Sequence, residues 1–469
     1  DYFGQGELFE SPFGTRPVLY CDWTASGKAL KCIETYIQKE VLTLYANTHT
    51  STSITGTQTS KFRNEARSII LESLKGDINE DVVLFCGSGV TAAIYKLANA
   101  LLTKSIERGY RPESTVVFIS IYEHNSNIYI WKELGCRLVV IGEDEEHGGI
   151  DLYELEKQLR FYSSSPNKHK YNLLIGSFTA ASNVSGILAP IDSATALLHR
   201  FGALAFWDYA TAAPYCDINM SNAEFPMYSK DAVFVSPHKF LGGPGSPGIL
   251  CCKKALFTNY VPVVPGGGTV FVAYGIDDSQ WEYSQDIEER EEGGTPDIIG
   301  SVRCALTMMV KDYLSTHFIE QTEKRYLDMF YTQCSHIANL RLIGNTHCHR
   351  LPVISFLVRH CRTLHSSTTK YLHHNFIAAL MNDLFGIQGR GGCACAGMYG
   401  VYALQMDAQQ IDHVIRQMRD HKNELARPGY FRINLHYTLT LKELDFIIKA
   451  VKYVCEHGWK FLPLYDVTV

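Results

Sequence analysis

"VVLFCGSGVTAAIYKLANALLTKS" occupies residues 82–105. Its first part, "VVLFCG", is an unbroken apolar run with β-branched and aromatic members, the pattern of a strand buried on both faces. Gly87-Ser88-Gly89 then punctuates the chain, and a helical pattern starts near Val90 and Thr91. The free N–H groups at such a helix start, with the Thr91 hydroxyl, form a cradle suited to a phosphate. Read alone, the glycines serve equally as an ordinary strand-to-helix turn.

The same strand-then-helix unit recurs downstream. "TVVFIS" (115–120) leads into a helix through Trp131, "RLVVIG" (137–142) into "DLYELEKQLRFY", and "YNLLIGSFT" (171–179) into "DSATALLHRFG". "ALAFWDYA" (203–210), "AVFVSPHK" (232–239) and "GILCCK" (248–253) complete the strands, and "KALKCIETYIQKEVLTLY" and "TSKFRNEARSIILESLKG" read as helices ahead of them. Buried strands separated by helices predict an α/β fold with a large, doubly wound, mainly parallel sheet. Such sheets bind ligands beyond the carboxyl ends of their strands.

The stretch 254–300 is loop-rich, and its acidic run in "EEREEGGTPD" predicts a solvated face or turn. Beyond it the pattern predicts one long helix over about 298–338, short strands "NLRLIG" and "VISFLV", and a helix "TTKYLHHNFIAALMNDLFG". A glycine-rich stretch with two cysteines, "GIQGRGGCACAGMYG" (386–400), comes next, with nothing beside it to bury the sulfurs. The helix "AQQIDHVIRQMRDHKNEL", the strand "YFRINLHY" and a final helix close the chain. The expected division is a large domain over 30–297 and a smaller α+β domain from 1–29 and 298–469, which carries the cysteine loop.

Composition narrows the class. The 469 residues are 46% hydrophobic and 20% charged, with a net charge of −6, an ordinary globular balance with no basic surface for nucleic acid or an anionic membrane. No apolar run approaches the roughly 20 residues of a membrane span. The fourteen cysteines are scattered, and several (Cys32, Cys86, Cys136, Cys304, Cys455) sit in apolar periodic context as small hydrophobes, which points to a reducing compartment. "HCH" (His347–His349) has no second ligand pair at finger spacing, so no metal site is expected. The stretch "DYFGQGELFE" has no charged-then-apolar signal pattern. The expected location is the cytoplasm, or an organelle if a targeting piece has been removed ahead of Asp1.

Four further residues stand at strand ends, each with a plain structural alternative. Lys239 follows an apolar strand in "VFVSPHKFLGGPGSPGIL" (233–250), where desolvation frees an amine for Schiff-base chemistry; the alternative is a surface lysine. Asp208 in "AFWDYATAAPY" can pair with a pyridinium nitrogen or cap a helix. His124 in "SIYEHNSNI" can stack on a ring or sit satisfied in a loop. Asn183 in "ASNVSGIL" can reach a ring oxygen. Lysine, aspartate, histidine, asparagine and a phosphate-type turn, all beyond strand ends, are together the inventory for pyridoxal phosphate.

With these motifs in this order the chain resembles the class V aminotransferase family of fold-type I pyridoxal-phosphate enzymes, and within it the cysteine desulfurase and selenocysteine lyase branch. The likeness runs from "LYCDWTASG" (19–27) to "FRINLHYT" (431–438). Ser-Pro-His-Lys at 236–239 is similar to the family's Ser-x-His-Lys, which implies Lys239 as the Schiff-base lysine and Ser236 and His238 as phosphate ligands beside Val90 and Thr91. The resemblance also implies ring stacking by His124, a pyridinium partner in Asp208, and Asn183 next to the phenolic oxygen or the substrate. "EGGTP" (292–296) matches a segment that reaches the other subunit's phosphate, here through Thr295, implying a homodimer with shared sites. Thr211 stands where the family has Gln, with a shorter reach toward the phenolic oxygen. "RGGCACA" (390–396) resembles the family's Arg-x-Gly-x-x-Cys-Ala and makes Cys395 the nucleophile, while Cys393 falls on another position. Arg432 looks like the arginine that clamps the substrate carboxylate, assisted by Arg390.

The activity this implies is L-cysteine desulfuration, leaving alanine and a persulfide on Cys395 for a sulfur-acceptor protein. The alternatives are a C–S β-lyase that needs only Lys239, another reaction of the family such as transamination or kynurenine hydrolysis, and a cofactor-binding protein without catalysis.

Overall fold

The computed structural model describes residues 1–48, 50, 52–104, 109–277, 280–360 and 370–466. They form two compact units. The first comprises Asp1–Phe3, Ser26–Ala180 and Ala189–Thr316, and the second Gly4–Ala25, Ala181–Leu188 and His317–Val469. The changeover thus falls after the helix Ile298–Leu314 and not at 297. That helix buries Val302 in one apolar cluster with Ile33, Ile37 and Val41 of the first unit.

The sheet of the first unit has seven strands: β1 (Asp81–Cys86), β2 (Thr115–Ser120), β3 (Arg137–Ile141), β4 (Leu173–Thr179), β5 (Leu204–Asp208), β6 (Ala232–Val235) and β7 (Gly248–Lys253). Their order across the sheet is β1-β7-β6-β5-β4-β2-β3. Every position of β1, β2 and β4 is buried, which is why their sequences are apolar without alternation. Strand β3 lies at an edge and is partly exposed.

Strands β2 to β6 pair in parallel, whereas β7 is antiparallel to both of its neighbours. The reason lies in the connection. A parallel return needs a crossover, usually a helix, but 236–247 holds only a tight turn and glycines, so the chain doubles back. The Gly248 amide donates to the Gly87 carbonyl at 3.1 Å, and a Cβ on Gly248 would stand 2.1 Å from the Gly89 carbonyl oxygen. Only glycine fits that approach.

The second unit carries a four-stranded antiparallel sheet of β8 (Leu340–Leu342), β9 (Val353–Val358), β10 (Arg390–Gly392) and β11 (Tyr430–Asn434), in the order β8-β9-β11-β10. The helices Thr316–Cys334, His374–Phe385 and Leu441–His457 bury Phe330, Leu380 and Ile447 with Phe356 and Ile433 of the sheet. The short strand Leu19–Tyr20 pairs in parallel with Ile387–Gln388.

Four local readings change. The expected 298–338 helix is two helices, broken at Ser315, whose φ of +63° cannot continue a right-handed helix. The helix read from Lys28 is α-helical only over Lys31–Tyr36 and continues as a π turn, which keeps Ile33, Ile37 and Val41 facing one cluster. The helix read from Thr368 begins at His374, and Thr368 and Thr369 lie outside the described residues. Cys32 is exposed, whereas Cys86, Cys136, Cys304 and Cys455 are buried.

Gly248→Ala is expected to destabilise the protein by about 2–4 kcal/mol, because the new methyl meets backbone that cannot swing aside. Chemical denaturation beside the wild type checks this, and an unchanged midpoint would mean the turn has room to spare.

Candidate active site

Register aligns the carboxyl ends of β4, β5 and β6: Thr179 pairs with Asp208, and Asp208 with Phe234. Asp208 is only 2% exposed, and its Oδ1 accepts from the Ala210 amide at 2.8 Å. It caps a turn, since no helix follows it. Burial pushes its carboxyl up to about 6, against the pull of that hydrogen bond and of the Lys239 charge. Lys239 ends the turn Pro237–Lys239 just past β6 and is half-buried. Burial, seconded by the Lys239 charge, draws the His238 imidazole down to about 4, so it is neutral at neutral pH. Thr211 is buried three residues beyond Asp208.

Beyond β1 the chain turns at Gly89, φ +58°, into the helix Gly89–Leu102. The Val90 amide donates to Ser236 Oγ at 3.0 Å, and a Cβ on Gly89 would stand 2.9 Å from the same oxygen. The two turns, one after β1 and one after β6, therefore share one small polar hollow of amide, hydroxyl and imidazole. Thr91 Oγ1 lies 2.7 Å from Ser126 Oγ, which lies 3.0 Å from His124 Nδ1. A line of hydroxyls thus ties the helix start to the histidine.

The sequence reading missed Glu123, beside His124. This carboxyl is fully buried and accepts from Ser120 Oγ (2.6 Å), Asn127 Nδ2 (2.8 Å) and the Thr179 amide (2.9 Å). Burial lifts it to about 7 despite those donors. An acidic residue closing the apolar run that continues through Ile121 and Tyr122 past the strand end was the available signal. Glu123 pins the turn that carries His124 to the end of β4.

The acidic run before Thr295 is solvated only in its first half: Glu289 is exposed, whereas Glu291 and Glu292 turn inward. Glu291 is buried, with the Asn259 amide 2.6 Å from Oε1 and Lys96 bonded to its carbonyl. Glu292, 4% exposed, pairs with Arg63 and Arg67 and accepts from the Phe85 amide at 2.6 Å. These ion pairs anchor the "EGGTP" loop from within. Thr295 itself is exposed, its hydroxyl accepting from Asn47 Nδ2 at 3.2 Å.

In the second unit, Arg432 on β11 has a side chain 3% exposed. Its Nη1 donates to the Asn183 carbonyl at 2.9 Å and its Nη2 to Asp22 Oδ1 at 2.7 Å. Arg390 on β10 places Nε 3.3 Å from Asp22 Oδ2. Asn183 Nδ2 donates to the Ala394 carbonyl at 2.7 Å, while its buried Oδ1 meets no partner among the described residues. The loop after β10 separates the two cysteines. Cys393 is mostly buried, contrary to the expectation that nothing there covers a sulfur: its thiol donates to the Pro428 carbonyl at 2.8 Å, and burial raises its pKa. Cys395 is exposed, and it and Ala394 both have left-handed backbone, φ +56° and +51°. Two successive non-glycine residues in that region are strained, and the Asn183 bond helps hold them there.

A family model for class V aminotransferases matches residues 19–445. The chain belongs to the class V aminotransferase family. A probable cysteine desulfurase of Borreliella burgdorferi is 22% identical over 452 residues, 95% of this chain and 94% of that one. Another, from Chlamydia muridarum, is 28% identical over 288 residues, and the match spans 61% of this chain and 65% of the relative's length. The fold is similar to that of the apo cysteine desulfurase of Thermococcus onnurineus NA1, with a TM-score of 0.71, 21% identity, and 94% and 95% of the two chains covered. It is also similar to that of the cysteine desulfurase CsdA (S-sulfonic acid) of Escherichia coli, with a TM-score of 0.69, 18% identity, and 93% and 94% covered. The α/β doubly wound fold expected from the strand pattern is the one found.

Class V aminotransferases depend on pyridoxal phosphate, and the first unit of this member has the donor set that group requires. It offers a buried acid, a half-buried amine, and a hollow of amide, hydroxyl and neutral imidazole. Among the described residues no helix is long and apolar enough to cross a membrane, and no group of three or more His, Cys, Asp or Glu could hold a metal ion.

Two outcomes are expected. In the cofactor-free class V aminotransferase, Asp208→Asn gains stability over wild type by up to about 3 kcal/mol at neutral pH. The sign follows from a folded value of about 6 above the ordinary 3.8. Wild-type stability is undiminished below pH 3.8 and is lost as pH rises through 6, so the gain should vanish in denaturation run near pH 3.5. Separately, mass spectrometry after brief iodoacetamide treatment should find Cys395 alkylated well ahead of Cys393; equal labelling would mean the Pro428 bond does not protect.

Proposed function

We propose that this class V aminotransferase is a pyridoxal-phosphate-dependent L-cysteine desulfurase that leaves alanine and a persulfide on Cys395. The observation that carries the reading is the contrast between the two loop cysteines, one thiol bonded away and the other exposed on strained backbone that Asn183 holds at Ala394. The relatives named above support the reaction class.

Lys239 would carry the cofactor on its amine, Asp208 would face the ring nitrogen and His124 the ring. The Val90 amide, Thr91, Ser236 and His238 would take the phosphate, with Thr211 near the phenolic oxygen. When bound, pyridoxal phosphate supplies an electron sink for the substrate's Cα. Asp208 serves that sink as an anion: with a charged partner at hand, its raised pKa falls and it ionises. Arg432 and Arg390 orient the substrate carboxylate, and Asn183 Oδ1 is an acceptor for a donor on the substrate. Lys239 Nζ, freed by the substrate amine, moves the Cα proton. The Cys395 thiolate attacks the substrate sulfur; the S–S bond forms as the Cβ–S bond breaks, and its electron pair stays with carbon, which is protonated and leaves as alanine.

Thr295 would complete the phosphate site of a second copy, making the working form a homodimer. An exposed persulfide suits transfer to an acceptor protein, and the free thiols of the described cysteines suit a reducing compartment such as the cytoplasm.

Purified holoenzyme given L-cysteine and a reductant is expected to form alanine and sulfide in equal amounts. Cys395→Ala should abolish both products, Cys393→Ala should retain most activity, and Lys239→Ala should lose the visible cofactor absorbance. Pyruvate and ammonia, insensitive to Cys395→Ala, would make the protein a C–S β-lyase instead.

A further inference from the structure

Arg390 and Arg432 are directly opposed residues on β10 and β11. Like charges in that relation weaken a sheet unless an anion lies between them. Here the anion is Asp22, with one carboxylate oxygen on each guanidinium, 2.7 Å from Arg432 Nη2 and 3.3 Å from Arg390 Nε. Among the described residues neither arginine has a second carboxylate partner.

Asp22 is held in place from both sides. The Cys21 amide donates to the Gln388 carbonyl and the Asn434 amide to the Cys21 carbonyl, at 2.9 and 2.8 Å. Next to it Trp23 is fully buried and stacked on His436, with centroids 3.8 Å apart and planes 7° apart. The carboxylate is therefore a fixed element between two cations, one buried and the other with a side chain 46% exposed. The Tyr20 phenol registers all three charges. Burial lifts it to about 12, Asp22 adds to the rise, and Arg390 and Arg432 oppose it.

Two guanidiniums and one carboxylate leave a net charge of +1, and one more carboxylate brings the cluster to neutrality. We propose that Asp22 sets the substrate specificity of this site: by cancelling one arginine charge, it matches the seat to a substrate with a single carboxylate and disfavours one with a second anionic group. Asp22 acts through the arginines, as a positioning and charge-setting residue. The proposal rests on the reading of Arg432 and Arg390 as the substrate-carboxylate residues.

Calorimetric titration of holoenzyme with 3-mercaptopropionate (one carboxylate) and mercaptosuccinate (two), at constant ionic strength, tests it without turnover. Wild type should bind the monoacid more tightly. Asp22→Asn should shift the ratio of the two dissociation constants toward the diacid by about tenfold, and Asp22→Glu should keep the wild-type ratio. An Asp22→Asn protein that binds the monoacid normally with an unchanged ratio would overturn the proposal. Arg390→Gln, at an exposed position, is the check if Asp22→Asn fails to fold. It should weaken both ligands by about tenfold, and undiminished binding would count against the charge balance. Arg432→Gln separates the underlying reading: if it binds both acids as wild type does, the carboxylate seat lies elsewhere and that reading fails.

Discussion

Strand β7 runs backward between β1 and β6, and the chemistry of the first unit depends on that reversal. Because β7 starts where β1 and β6 end, the turns after those two strands become neighbours although nearly 150 residues separate Val90 from Ser236. Their approach is closer than any side chain permits at 248, and a Cβ at Gly89 would press on the Ser236 hydroxyl. Gly89 and Gly248 thus act as spacers between the two turns. What they leave is a hollow lined by an amide, a hydroxyl and a neutral imidazole, an environment that stabilises an anion without a formal positive charge of its own.

The same edge of the sheet carries two carboxyls that burial works against. Asp208 and Glu123 both lie where water cannot solvate an anion, and both have pKa values well above the ordinary carboxylate range. Their surroundings differ. Glu123 is surrounded by donors from Ser120, Asn127 and Thr179 and serves as a structural pin for the His124 turn. Asp208 accepts one backbone hydrogen bond and feels Lys239, so it retains capacity for a further partner. A buried acid left so lightly satisfied is costly unless a further partner meets it.

The second unit solves a different problem, that of holding an exposed thiol and two like-charged arginines on a small sheet. Asp22 bridges the arginines, Arg432 grips the Asn183 main chain, and the Asn183 side chain grips the Ala394 carbonyl. These contacts link the N-terminal stretch, a segment between the large-sheet strands and the cysteine loop into one knot. Cys393 is tied to the Pro428 carbonyl, and Cys395 is held out on left-handed backbone. Strain of that kind persists only where neighbouring bonds over-determine the loop.

The strands of the large sheet, and the residues just past their ends, were legible in the amino-acid sequence. A strand buried on both faces must be apolar at consecutive positions, and a polar or charged residue at or just past its end stands out against that run, as Asp208, Lys239 and His124 do. The break at Ser315 and the burial of Glu291 and Glu292 against cations carried no such local mark. An acidic run reads as solvated until arginines from a distant helix are seen against it. Asp22 is the clearest case, an aspartate with no local pattern whose partner Arg432 stands 410 positions away. By itself the sequence determined the fold class and the inventory of reactive groups, because both follow from short-range hydrophobic pattern and residue type. The tertiary structure alone decided which cysteine is exposed, which carboxyl is shared and how much charge remains at the arginines, because these depend on contacts between segments that only the folded chain brings together.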